Sequence, residues 1–61
     1  MSDAMKIFEV NFYTKKDFKP LHKEIITARQ SFGILLAGKV KAKSKGFTFD
    51  NNQHVATYKE V

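Results

Sequence analysis

Four lysines at alternate positions, Lys39, Lys41, Lys43 and Lys45, stand in the run GKVKAKSKGFTF, just before Phe47 and Phe49. On a strand, period-two alternation would set all four lysines on one face, opposite Val40 and Ala42. Basic side chains there would hold phosphates while aromatics on the same sheet stack bases. On a helix the same lysines spread around the last turns and complement the negative end of the helix dipole. Gly46 then stands where a left-handed C-terminal cap is wanted. Ala, Lys and Leu are strong helix formers, and the apolar spacing upstream is helical, so the helix is the preferred reading. Arg29 and Tyr13 join the four lysines as candidate contacts to a partner or to nucleic acid.

No catalytic constellation accompanies them. His22 and His54 are the only imidazoles, neither has the spacing of a metal motif, and the chain contains no cysteine. Both are read as surface histidines. Ser31 and Ser44 lack a nucleophile-elbow sequence and an evident base, and Ser31 is better placed as a helix cap. Glu9 and Glu24 would approach each other across a hairpin, but they read as two exposed carboxylates rather than an acid–base pair. GKVKAKSKG lacks the phosphate-loop order, in which Gly-Lys is followed by Ser or Thr. The expectation is a protein without enzymatic activity, cofactor or metal.

The elements that would position these residues follow from patterning. Residues 1–4 read as a disordered tail and 5–61 as a single small α+β domain. KIFEVNFYT, Lys6 to Thr14, is a strand rich in β-branched and aromatic residues. Its alternation sets Phe8, Val10 and Phe12 on a core face and Ile7, Glu9, Asn11 and Tyr13 on a wetter one. KKDFKP reads as a hairpin loop, with Pro20 starting a second strand, LHKEIIT, where Leu21 and Ile25 share a face and Ile26 points oppositely.

A helix is predicted near residues 28–45. Thr27 and Gln30 have capping-box spacing, with Ser31 as a second candidate cap. Ala28, Phe32, Leu35, Leu36 and Val40 form the expected inward stripe, with Lys39 snorkelling beside it. Gly33 and Gly38 weaken that helix, or mark where it packs close against the sheet. DNN is a turn, because Asn and Asp tolerate positive φ. Either one bulged strand or, preferably, two short ones close the chain. The expected architecture is an antiparallel sheet of three or four strands, β-β-α-β or β-β-α-β-β, covered by one helix.

Composition narrows the function class. Hydrophobic residues make up 43% of the chain, too many for a disordered protein. No apolar run approaches the roughly 20 residues of a membrane span. MSDAMK has no hydrophobic signal core, so a cytoplasmic protein is expected. Eleven Lys and Arg against six Asp and Glu give a formal charge of +5, which favours an acidic protein surface or nucleic acid as partner. So short a chain has a marginal core, and a homodimer extending the sheet through an edge strand is an alternative way to stabilise it.

Two resemblances bear on function. GKVK followed by KGFTF resembles the first strands of cold-shock domains, although Ala42 and Lys43 stand where that pattern wants aromatics. FKPLHKEIITARQSFGILLAGKVKAKSKGFTFDNNQHV is similar in pattern to small proteins of tailed phages that inhibit host RNA polymerase or silence RNA-cleaving toxins. The second resemblance implies a stoichiometric inhibitor of phage or mobile-element origin, binding a larger host protein or nucleoprotein complex. Direct binding of DNA or RNA through residues 39–45 and the adjacent aromatic strand is the alternative.

Overall fold

The computed structural model describes residues 4–61, so the expected tail lies outside the described residues except for Ala4, which is exposed. Three strands and one helix follow in the order β1 (Lys6–Thr14), β2 (Pro20–Ala28), α1 (Ile34–Ser44) and β3 (His54–Glu60). The sheet order is β2-β1-β3, antiparallel throughout. It is an α+β fold.

Strand β1 is central because its alternation supplies the core. Phe8, Val10 and Phe12 are buried, while Ile7, Glu9, Asn11 and Tyr13 face the open side, as the pattern predicts. Pro20 opens β2 on an edge, where its missing N–H costs no ladder bond, and a register irregularity follows at Phe12/Tyr13. In the hairpin loop Phe18 has φ 54, a left-handed value that bulky residues rarely adopt.

The register of β2 sets His22, Glu24 and Ile26 opposite Phe12, Val10 and Phe8, on the core face. Leu21 and Ile25 therefore turn outward. Glu9 and Glu24 do not meet, since they lie on opposite faces of the sheet. Nor is Glu24 an exposed carboxylate: it is 2% exposed.

The helix differs from the expectation in start and in orientation. Thr27 and Ala28 remain in the ladder, paired with Ile7 and Lys6, so neither is free to begin a helix. The N-cap is Gly33, at φ 76, with no side-chain capping bond; Ser31 contributes only its carbonyl, which accepts from Ile34 N–H at 3.1 Å. The buried face is Ile34, Gly38 and Ala42, with Leu35 packed beside it. Phe32, Leu36 and Val40, expected to point inward, point outward instead.

The reason is steric. A Cβ added at Gly38 would lie 2.7 and 2.9 Å from the two Cγ atoms of Val10. The helix backbone thus rests directly on the central strand, and only its small-residue face fits that approach. Positions 34, 38, 42 and positions 32, 36, 40 have the same spacing in the sequence, so periodicity alone does not choose between them, and the late helix start leaves Phe32 in the preceding turn.

The helix exit agrees with the expectation. Gly46 has φ 97, its N–H donates to Lys43 O at 3.0 Å, and Phe47 N–H donates to Ala42 O at 2.9 Å. This is a Schellman cap. Residues 39–43 are helical, so the strand resembling a cold-shock domain is not formed. Residues 47–49 form no strand either, leaving β3 as the only C-terminal one. Phe47 and Phe49 instead pack on Phe12, at ring distances of 5.1 and 6.0 Å. The turn at residues 50–53 is closed by Asn52 N–H donating to Asp50 Oδ1 at 2.9 Å, the local bond for which Asp is favoured there.

Candidate binding surfaces

The four helix lysines divide between two sides of α1. At about 100° per residue, Lys39 and Lys43 share one flank, and Lys41 and Lys45 lie about 200° away. Lys41 reaches back over β2 and donates from Nζ to Ile25 O at 2.8 Å. Lys45 pairs with Glu24, Nζ to Oε1 3.1 Å. Lys39 Nζ sits 4.2 Å from the centre of the Phe49 ring, a cation–π contact rather than simple snorkelling. Among the described residues Lys43 has no ion pair.

The remaining candidates are not brought to these lysines. Arg29 is exposed in the bend after β2. Tyr13 lies on the open face, across the sheet from the helix, with its ring 6.2 Å from Phe18. The set chosen from sequence is therefore not one site.

Glu24 organises a cluster that sequence reasoning missed. Its Oε2 accepts from His22 Nε2 at 2.5 Å, and its Oε1 accepts from Lys45. Burial opposes its ionisation, but the hydrogen bonds from His22 and Lys45 outweigh that cost and hold the carboxyl below its ordinary range. His22 stacks flat on Phe47, at 5.2 Å and 3°. It is not a surface histidine with free rotation. His54 is also held, accepting from Asp50 N–H at Nδ1 (3.0 Å) and lying 5.2 Å from the Phe47 ring. The available signal was the i, i+2 spacing of His22, Glu24 and Ile26, which places all three on one face of a strand.

Chemically this cluster is a lock between β2 and the end of α1. Both carboxylate oxygens are occupied by donors, and no buried side-chain polar atom among the described residues lacks a partner. Among the described residues no three His, Cys, Asp or Glu side chains come together in a way that could hold a metal. On the open face Glu9 accepts from Asn11 and pairs with Lys23 and Lys59, at 3.2 and 3.5 Å. The Asn11 bond, followed by Lys23, lowers its carboxyl pKa.

What remains unpartnered is the outward face of the helix. Phe32 is 88% exposed, Leu36 67% and Val40 63%. Leu36 and Val40, one turn apart, form a short apolar stripe on α1, with the exposed Phe32 in the turn just before the N-cap, Lys39 and Lys43 along one flank and no acidic residue anywhere in α1. Among the described residues no helix is long and apolar enough to cross a membrane. The chain matches no protein-family model, no curated protein and no solved structure.

Proposed function

We propose that this chain is a non-catalytic binding protein whose outward helix stripe docks into an apolar groove rimmed by carboxylates on a larger protein. The exposure of Phe32, Leu36 and Val40 carries this reading. An amphipathic helix laid into a groove is read through anchors about one turn apart, the spacing of Leu36 and Val40, and Phe32 in the turn before the helix adds a third exposed apolar contact. Lys39 and Lys43 beside the stripe, and the formal charge of +5, select an acidic rim. The same lysines oppose a second copy of this chain as occupant, because face-to-face helices would bring like charges together. A phage or mobile-element antagonist acting on a host protein or nucleoprotein complex in the cytoplasm is the concrete form of the proposal.

Nuclease-treated lysate from a candidate host, captured on the wild-type chain and on L36S/V40S, tests it. The proposal expects a discrete protein held by the wild type, cross-linked from position 36, and lost with L36S/V40S but kept with the open-face variant I25S. The purified partner should bind with a negative heat-capacity change and lose affinity as salt rises. Equal capture by all three chains would overturn the proposal. So would a homodimer in solution that L36S/V40S dissolves.

A further inference from the structure

Two lysine pairs far apart in sequence meet at one turn. Lys15 and Lys16, at the end of β1, line a shallow depression whose other wall is Asn52 and Gln53. Lys39 and Lys43 line a second depression, walled by Phe49 and Asn51. The two depressions thus lie against neighbouring residues of one turn, the first against Asn52 and Gln53 and the second against Asn51. Lys15 ties them together: its N–H donates to Gln53 O at 2.8 Å and its Nζ to Asn51 O at 2.8 Å. We infer that Lys15, Lys16, Lys39 and Lys43 form one basic band around this turn that binds the phosphate backbone of a nucleic acid. It shares Lys39 and Lys43 with the flank of the helix stripe proposed above, whereas Lys15 and Lys16 belong to the band alone, so K15Q and K16Q test it separately from that stripe.

Several observations favour this partner. Lysines beside exposed amide side chains (Asn51, Asn52 and Gln53) are the groups that contact phosphate and position a protein on nucleic acid. Two carboxylates lie nearby, Asp50 accepting from the Asn52 N–H and Asp17 from the Thr14 hydroxyl; neutral donors do not cancel their charge, but four lysines against two carboxylates leave the band positive. Two of the four ammonium groups are already held in place, Lys15 on Asn51 O and Lys39 over Phe49, so less side-chain freedom is lost on binding. A lysine ammonium has three donors, and the single bond made by Lys15 leaves two for phosphate. Lys41 and Lys45 are excluded because they turn to β2. Phe47 and Phe49 pack against the core, so base stacking contributes little and binding should be indifferent to sequence.

Fluorescence anisotropy with a short labelled DNA duplex and its single strand, across a potassium chloride series, tests the band. Each neutralised phosphate contributes about −0.9 to the log–log salt slope on a duplex and about −0.7 on a single strand, so four contacts give about −3.6 and −2.8. K15Q, K16Q, K39Q and K43Q should each reduce the duplex slope by about 0.9 in magnitude, whereas K41Q should leave it unchanged. Far-UV circular dichroism checks that each variant keeps its fold. No binding at the lowest salt, or a slope that K41Q flattens as much as K43Q, would overturn the assignment. Tighter binding of polyglutamate than of the duplex at equal charge and salt, lost with the same four variants, would also overturn it, giving the band to an acidic protein.

Discussion

Replacing Gly38 by Ala tests which face of the helix is buried. In an exposed helix interior the change stabilises by about 1 kcal/mol, because Gly loses more backbone freedom on folding. Here the new Cβ would lie 2.7, 2.9 and 3.0 Å from Cγ1, Cγ2 and Cβ of Val10, which is itself fully buried on the central strand. Overpacking of that kind costs about 1–3 kcal/mol, so the net effect should be a loss of up to about 2 kcal/mol. The compensating background is V10A, which removes both Cγ atoms and by itself costs about 2 kcal/mol in lost burial and cavity. Within it, G38A should be neutral or stabilising by up to about 1 kcal/mol, a coupling of opposite sign to the single change. Urea unfolding of the four chains measures the cycle. Stabilisation by G38A in the wild-type background, with no coupling to V10A, would show that the helix does not rest on β1. The stripe of Phe32, Leu36 and Val40 would then be the inward one.

Ile34 is 2% exposed and Leu36 67%, so I34A should cost about 2–5 kcal/mol and L36S no more than about 0.5, as read from urea midpoints. Gly46 has φ 97, where a side chain costs about 1–2 kcal/mol, so G46A should lower the midpoint and G46N should lower it less. Glu24 and Glu9 both have folded pKa values below their ordinary range. The unfolded chain then binds more protons between that lowered value and about 4.3, so stability rises with pH through this window and falls on acidification. E24Q should flatten that acid limb without abolishing it, because Glu9 still titrates. An unchanged limb would show that Glu24 is not held ionised by His22 and Lys45.

Much of this fold is decided locally and is therefore readable residue by residue. The alternation of KIFEVNFYT determines which side of β1 enters the core, since side chains on a strand have only two directions. Pro20 marks the start of an edge strand and Gly46 the left-handed end of the helix, because both depend on backbone sterics at one position. The rotation of the helix is not a local property. Positions 34, 38, 42 and 32, 36, 40 are equally periodic, and only the closeness of α1 to Val10 selects the small-residue face and leaves the large one outside. The fate of β2 is likewise tertiary. Its register against β1 turns Glu24 inward, where His22 and Lys45, the latter 21 residues away in sequence, make its burial tolerable. The lysines show the same division: their number and the charge of +5 are properties of composition. Packing alone turns Lys41 and Lys45 toward β2 and brings Lys39 and Lys43 to the turn that Lys15 also reaches.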